Sequence, residues 1–188
     1  MEIIRGQIEK IEKFVEARLD SLTWQHTRGI RPIAKKLAGL ERADKSIVDV
    51  AVLFHDLGKV KGDDGHAARS AEATRRYLEK ENFSRRFIEE IVYCVSVHDL
   101  PWQNQANLLT TPEAKVLFDA DMIQQLSKFG VIRHIMYFQR DIANNFAAGL
   151  IKARDALFKA YNLIITENGR QLAEPGYKFV KDFFKDLL

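Results

Sequence analysis

A histidine and an aspartate stand side by side, His55 followed by Asp56, where an apolar segment of the chain ends. Every residue from 50 to 54 is apolar, and a helix of that character is buried. A carboxylate in such surroundings must find a cation, strong hydrogen-bond donors or water, because burying it unpaired is costly. A metal ion is the simplest such cation, so the pair predicts a metal site.

Few other positions could complete a metal site at Asp56. Outside the pair, the candidate ligands are His26, His66, His98 and either Asp119 or Asp121. We favour Asp121 over Asp119, because it lies inside an apolar helical stretch where a charge needs a partner. Two imidazoles and two carboxylates suit an octahedral Mn²⁺, Fe²⁺, Co²⁺, Ni²⁺ or Mg²⁺ ion with two positions left open. His26, His55, Asp56 and Asp121 would give one such set.

Two cationic side chains could serve a phosphorylated substrate at such a site. Lys59 and Arg133 could hold phosphate oxygens, the lysine as a point charge and the arginine as a fork. A bound metal would lower the pKa of its water and polarise a phosphoryl oxygen. Hydrolysis of a phosphoester or phosphoanhydride is the reaction that this chemistry predicts.

Other polar residues have several possible roles. His66 and His98 could each be a second-metal ligand, a phosphate contact or a proton donor. Asp63 or Asp64 could orient or deprotonate the attacking water. The predicted catalytic residues are Asp56, Lys59 and His66, and the predicted substrate-binding residues are Lys59, His66, His98 and Arg133.

Helical periodicity runs through most of the chain and must position these side chains. Apolar residues at steps of three and four predict a first helix over 4–19 and a second from an N-cap at Thr23 to Gly39. Ser46 with Asp49 resembles a capping box that opens the apolar helix before His55. Further helices are predicted over 66–80, 84–98, 112–128, 130–147, 149–166 and 176–187, with N-caps at Ser84 and Thr111. No segment alternates as a strand does, so we predict an all-α fold of eight or nine helices.

Composition excludes several classes of protein. Of the 188 residues, 46% are hydrophobic and 29% charged, which is unlike disordered or collagen-like chains. The single cysteine, Cys94, cannot form an internal disulfide, and this favours a reducing compartment. A net charge of +3 does not require a nucleic-acid partner. With no secretory signal and no apolar run of about 18 residues, we expect a cytoplasmic protein that needs no membrane.

The ordered motifs His26-Thr27, His55-Asp56-Leu57-Gly58-Lys59 and Asp119-Ala120-Asp121 resemble the signature of the HD-domain metal-dependent phosphohydrolases. This superfamily is all-α. The resemblance covers about residues 22–135 and implies that His26, His55, Asp56 and Asp121 are the metal ligands. We expect one domain over residues 1–188, with the helices of 136–188 packed on the motif-bearing core.

Two further stretches, residues 65–71 and 113–121, look like those of a small hydrolase branch within that superfamily. The branch is associated with nucleotide substrates, including nucleoside triphosphates. This chain departs from it at Met122-Ile123-Gln124-Gln125, where a second acidic residue is missing.

We therefore expect a metal-dependent phosphohydrolase that acts on a nucleotide or a related small phosphorylated metabolite through a metal-activated water. Manganese is one of several suitable metals. One alternative is a non-catalytic module that binds metal and nucleotide, and another is a phosphodiesterase acting on a cyclic dinucleotide or an alarmone. The cyclic-dinucleotide subgroup carries a GYP segment, and we interpret Pro175-Gly176-Tyr177, far beyond the metal motif, as a coincidence. Oxygen chemistry at a di-iron site would need more ligands.

Overall fold

The chain folds into nine α-helices and three short 3-10 helices within the residues that the computed structural model describes, which are 5–62, 64–141 and 145–187. The same ranges contain no β-strand, so the predicted all-α fold is confirmed. Ile4 and Asp63 lie outside the described residues. The α-helices are α1 (Arg5–Glu16), α2 (Ser21–Leu40), α3 (Lys45–Phe54), α4 (His66–Lys80), α5 (Arg85–Val97), α6 (Pro112–Gln125), α7 (Lys128–Asp141), α8 (Phe146–Leu163) and α9 (Glu167–Lys185). The 3-10 helices are Leu57–Lys61, Leu100–Gln103 and Ala106–Leu108.

Helix α3 lies at the centre of the core. Residues 50–54 are fully buried, as the apolar sequence predicts. Helices α2, α5 and α6 all pack against α3, and α2 also packs along α6. The end of α3, where His55 begins, is therefore surrounded by the helices that carry the other candidate ligands.

Two helices begin earlier than the sequence predicts, because an aspartate upstream supplies the cap. Asp20, not Thr23, caps α2, and its carboxylate accepts hydrogen bonds from the backbone N–H groups of Leu22 and Thr23. Asp44, not Ser46, caps α3 in the same manner. A carboxylate also suits the positive end of the helix dipole. The caps predicted at Ser84 and Thr111 are confirmed.

The boundaries at both ends of the chain also differ from the prediction. Helix α1 ends at Glu16 rather than near residue 19, and α9 begins at Glu167 rather than near 176. Thr166 caps α9 by accepting from the N–H of Gly169, and Pro175 lies inside the helix. Pro175-Gly176-Tyr177 is therefore helical.

Helices α8 and α9 cover part of α6, which also packs against α2, α3 and α5. Both helices pack on α6, and they bury Leu150, Leu157, Val180 and Phe184 in the core that they share with it. The apolar face of the last helix is thus used in packing. No helix in the described part of the chain combines the length and the apolar character needed to cross a membrane.

Candidate metal centre

Seven elements bring polar side chains to one place beside the end of α3. Most of these side chains come from helix ends, because the turns that follow α3 and α5 direct polar groups toward the core. The side chains are His26 of α2, His55 and Asp56 after α3, Lys59 of the 3-10 helix that follows, His66 at the start of α4, His98 after α5, Asp121 of α6 and Arg133 of α7.

Two of the histidines are held by the helices that they terminate. His55 and His98 each follow the last residue of a helix, and each donates its Nδ1–H to the carbonyl oxygen three residues earlier. The distances are 2.8 Å from His55 to Val52 and 2.7 Å from His98 to Val95. This bond fixes the ring and leaves Nε2 directed at Asp56, which is the arrangement of a histidine ligand.

His26 is oriented by a side chain that the sequence did not identify as functional. Its Nδ1 lies 2.7 Å from Oε1 of Gln124, which can only accept the hydrogen bond. Its Nε2 lies 3.1 Å from Oδ1 of Asp121 and 3.8 Å from Oδ2 of Asp56. Gln124 thus performs for His26 the task that a backbone carbonyl performs for His55.

Asp56 is the centre of the cluster, and both of its oxygens have basic neighbours. Oδ2 lies 2.8 Å from Nζ of Lys59 and 3.4 Å from Nε2 of His55. Oδ1 lies 3.5 Å from Nε2 of His66 and 3.7 Å from Nε2 of His98. Burial alone would raise the pKa of Asp56, but His55 and Lys59 together hold it well below its usual range. Asp56 is therefore a carboxylate.

Two buried atoms of this cluster show that the residues fit a cation. Among the described side chains, four polar atoms are buried without a hydrogen-bond partner, and two of them, His55 Nε2 and Asp56 Oδ1, belong to this cluster. Ligand atoms of His26, His55 and Asp56 lie within 4.8 Å of one another, and so do those of Asp56, His66 and His98. An unpaired lone pair beside an unpaired carboxylate oxygen is unfavourable without a cation.

The two acids of the Asp119-Ala120-Asp121 motif lie on different sides of α6. Asp121 faces His26, and although burial alone would raise its pKa, the hydrogen bond and charge of His26 lower it. Asp119 faces α9, where its carboxylate accepts from the backbone N–H groups of Ile165 and Thr166, both at 2.8 Å, and from the Thr166 hydroxyl at 2.7 Å. Asp119 therefore ties α6 to the start of α9, and Asp121 adjoins the metal cluster.

His66 and His98 form a pair on the other side of Asp56. Their Nε2 atoms are 3.1 Å apart, so one ring donates a hydrogen bond to the other. Burial opposes protonation of His98, but the neighbouring carboxylate of Asp56 outweighs it and raises the pKa of His98. The pair can therefore carry a proton beside the cluster.

A cavity of about 780 Å³ opens onto the cluster. Its lining includes the four residues predicted to bind substrate, Lys59, His66, His98 and Arg133, and the predicted ligand Asp121. Nη2 of Arg133 lies 4.0 Å from Oδ2 of Asp56. His134, to which the sequence assigned no function, also lines the cavity, and Asp64 is exposed outside it.

Two neutral histidines make the stability of the metal-free protein depend on pH. Burial lowers the pKa of both His55 and His134 to about 4, whereas an ordinary histidine titrates at 6.5. Between these values the unfolded chain binds protons that the folded chain does not, so the free energy of unfolding should fall as the pH falls. The loss is about 1.4 kcal/mol per pKa unit for each histidine.

Denaturant unfolding in the presence of a chelator, at pH 7, 5.5 and 4.5, measures this effect. His134→Gln should reduce the dependence, because glutamine can still donate to the carbonyl of Gly130, which His134 Nδ1 contacts at 3.0 Å, but does not titrate. If the free energy of unfolding falls with pH equally steeply in the variant and in the parent chain, His134 does not contribute to the pH dependence.

The loop between Asp56 and His66 is held by an arginine on α4. The guanidinium of Arg69 donates to the carbonyl oxygens of Gly58, Gly62 and Asp64. Gly58 packs so closely on α4 that a Cβ atom there would lie 2.3 Å from the carbonyl oxygen of His66. Only glycine permits this approach, which sets the positions of Lys59 and His66.

Arg69→Lys should therefore reduce activity by about tenfold to a hundredfold, because a lysine cannot span three carbonyls and small displacements of positioning groups are costly. The measurement is the rate of metal-dependent phosphate or pyrophosphate release from the protein's substrate. The matched control is Arg76→Lys, since Arg76 is exposed on the same helix and forms an exposed ion pair with Glu72. Equal loss in both variants would contradict a positioning role for Arg69.

Comparison with known proteins gives one matching family. The model of the family described as HD domain matches residues 23–126, which is more than half of the chain. Among curated proteins, the chain is 23% identical over 202 residues to the uncharacterized protein YpgQ of Bacillus subtilis, an alignment that covers 96% of this chain and 92% of YpgQ.

Solved structures agree with this fold. The crystal structure of Bacillus subtilis YpgQ in complex with ADP has a TM-score of 0.77 and 22% identity, and the alignment covers 97% of this chain and 93% of YpgQ. The Lin1889 protein from Listeria innocua has a TM-score of 0.74 and 20% identity, with 98% and 96% coverage. An HD-superfamily hydrolase from Bacillus thuringiensis has a TM-score of 0.73 and 20% identity, with 97% and 95% coverage.

Proposed function

This chain belongs to the HD domain family, and on that premise we propose that it is a metal-dependent phosphohydrolase that cleaves a phosphoester or phosphoanhydride bond of a nucleotide or a related small phosphorylated metabolite. The observation that carries the proposal is the pair of buried, unpartnered atoms, His55 Nε2 and Asp56 Oδ1, beside a cavity with cationic side chains.

His26, His55, Asp56 and Asp121 would hold the cation. The set offers nitrogen and oxygen donors, which suits Mn²⁺, Mg²⁺, Co²⁺, Ni²⁺ or Fe²⁺ better than a thiophilic ion. Adjacent ligand atoms of one ion lie about 3 Å apart when each bond is near 2.1 Å, and His26 Nε2 and Asp121 Oδ1 are separated by 3.1 Å. When bound, the cation would supply an activated water and polarise a phosphoryl oxygen.

The remaining polar side chains would bind and protonate the phosphate. Lys59 and Arg133 would pair with phosphate oxygens, since both line the cavity and both lie near Oδ2 of Asp56. His66 and His98 would contact the phosphate, and the proton shared between their Nε2 atoms would be donated to the leaving oxygen. His66 is the outer member, with 12% of its side chain exposed, so it is the donor in this proposal.

A nucleotide is the substrate class that best suits the cavity. Its volume of about 780 Å³ falls within the range of roughly 300–1,000 Å³ that small-molecule sites occupy. The structure of YpgQ with ADP is also consistent with nucleotide binding by a protein of this fold.

We also propose that the protein acts in the cytoplasm. Cys94, the single cysteine, is buried, and burial raises the pKa of its thiol to about 12. A thiol of this kind is unreactive and serves as a small apolar side chain.

The test is the release of phosphate and pyrophosphate from nucleoside mono-, di- and triphosphates, cyclic dinucleotides and a generic phosphodiester. Each is incubated with chelator-stripped protein to which Mn²⁺, Mg²⁺, Co²⁺ or Ni²⁺ is added. We expect release from a nucleotide only when metal is present. Release confined to a cyclic dinucleotide would favour a phosphodiesterase, and binding of metal and nucleotide without release would replace the hydrolase by a binding module.

A further inference from the structure

The cavity beside the proposed metal site is lined by side chains of two kinds. The ionic side chains are described above. Among the described residues, the cavity also has apolar and aromatic lining residues, namely Leu22, Trp102, Met136, Tyr137, Phe138 and Ala156. We call these six residues the aromatic lining. A substrate that fills the whole cavity must therefore join an anionic part to an apolar part.

At two places in the chain, a basic residue of the cavity is followed four positions later by an aromatic residue of the cavity. His98 is followed four residues later by Trp102 in the 3-10 helix Leu100–Gln103, and Arg133 is followed four residues later by Tyr137 on α7. On a helix, residues four apart lie on one face, about 6 Å apart along the axis. The tyrosine is thus one turn away from the arginine on the same face of α7.

The aromatic lining contains large side chains that remain accessible. Tyr137 is 43% exposed and Met136 is 55% exposed, although both line a cavity. Trp102 is half-buried, and its element is held by Lys159, whose Nζ donates to the Trp102 carbonyl at 3.3 Å. A held but accessible indole offers a face to a planar ligand at little entropic cost.

We propose that Trp102 and Tyr137 bind the base of a nucleotide whose phosphates lie against Lys59 and Arg133. The proposal rests on the proposed function and extends it to the part of the substrate that does not react. A nucleotide joins anionic phosphates to a planar base through a sugar, and the cavity offers cationic and aromatic side chains, with Arg133 and Tyr137 one turn apart on α7. Stacking on an aromatic ring uses the face that every base has.

Stacking on Trp102 and Tyr137 predicts that the base is read weakly. Among the polar side chains that line the cavity, the carboxylate of Asp20 already accepts hydrogen bonds from the backbone N–H groups of Leu22 and Thr23 and from the Thr23 hydroxyl. Stacking without hydrogen bonds to the edge of the base discriminates little between bases. Adenine and guanine nucleotides should therefore differ by less than about tenfold in kcat/KM.

Kinetics with a complete nucleotide as substrate, and with an inhibitor that lacks the base, test this assignment. In Trp102→Ala and in Tyr137→Ala, the KM for ATP should rise by about tenfold, while the inhibition constant of inorganic tripolyphosphate, which lacks a base, should stay unchanged. Phe146→Ala is the matched control, because Phe146 is an aromatic residue on α8 that is 64% exposed and does not line the cavity. An equal rise of both constants, or an unchanged KM, would overturn the proposal.

A binding measurement separates this proposal from the hydrolase proposal. Trp24 and Trp102 are the two tryptophans, so Trp24→Phe leaves Trp102 as the sole indole reporter. Adenosine, which has no phosphate, should quench its fluorescence in the absence of metal, and Tyr137→Ala in that background should weaken the quenching by about tenfold in Kd. Quenching by adenosine without any hydrolysis would support the base site and contradict the hydrolase proposal. Hydrolysis without quenching by adenosine would support the hydrolase proposal and contradict the base site.

Discussion

Asp56→Ala is expected to abolish both metal binding and metal-dependent phosphate release while the chain remains folded. Asp56 contributes to both groups of clustered ligand atoms, so no other single side chain affects as much of the site. Folding should survive, because the change removes a buried charge and its close partner Lys59, at 24% side-chain exposure, can turn to solvent. Bound metal is measured by elemental analysis after dialysis, and folding by circular dichroism.

The control for this variant is Asp155→Ala, which removes an exposed aspartate from α8. It should keep full activity and one equivalent of metal per chain. An Asp56→Ala protein that still held metal would refute the ligand set. Two equivalents in the parent chain would place His66 and His98 among the ligands rather than against the phosphate.

Asp119→Asn should lower the stability of the chain, whereas Asp121→Asn should weaken metal binding, although the two residues are only two positions apart. Asp119 accepts three hydrogen bonds from residues 165 and 166, and an amide nitrogen in place of one oxygen would face backbone donors. The loss should be about 3 kcal/mol, or roughly 6–12 °C in Tm for a chain of this size. Asp121→Asn should leave Tm nearly unchanged and weaken metal binding by about a hundredfold or more.

Calorimetric titration of metal at 10 °C, together with thermal unfolding, resolves the two variants. At that temperature the Asp119→Asn protein should be folded and should bind metal as the parent chain does. Weakened metal binding by folded Asp119→Asn, with Asp121→Asn unaffected, would exchange the roles of the two acids.

The sequence predicts well which side chains lie together, because few residue types bind metal ions. The end of the buried apolar helix also indicates where in the fold those side chains must meet. His55 and Asp56 at the end of α3, and Asp121 in α6, have few alternatives once the helix is buried. The resemblance adds His26. These four residues lie together in the structure, and the sequence prediction of their role as ligands stays a prediction until metal is measured.

The supporting residues could not be predicted, because their roles depend on which helices meet. Gln124 gives no sign in the sequence that its amide would hold His26 on another helix. Arg69 is one of many charged residues in α4, and only the fold of the loop brings three carbonyls to it. The role of Asp119 is not evident in the sequence, because its hydrogen-bond partners, Ile165 and Thr166, are brought to it only by the packing of α9 on α6.

Helix starts were predicted wrongly where an aspartate lies just upstream of the chosen cap. Thr23 and Ser46 each have an aspartate two or three residues upstream that is the actual cap, whereas Ser84 and Thr111 are the caps although Asn82 and Thr110 lie close before them. Local preference does not decide between such neighbours, since packing of the first turn selects the cap. Asp49, predicted as part of a capping box, instead pairs with Arg31, and its Oδ1 lies 2.8 Å from the arginine Nε.

The bond between Asp119 and the start of α9 means that the recognisable motif cannot be excised from the rest of the chain. The family match ends at residue 126, yet a fragment cut there would keep every proposed metal ligand and lose the partners of a buried carboxylate. It would also expose to water the side of α6 that α8 and α9 cover. We therefore propose that residues 1–188 form a single domain, in which the last two helices are as necessary for a working active site as the helices that carry its ligands.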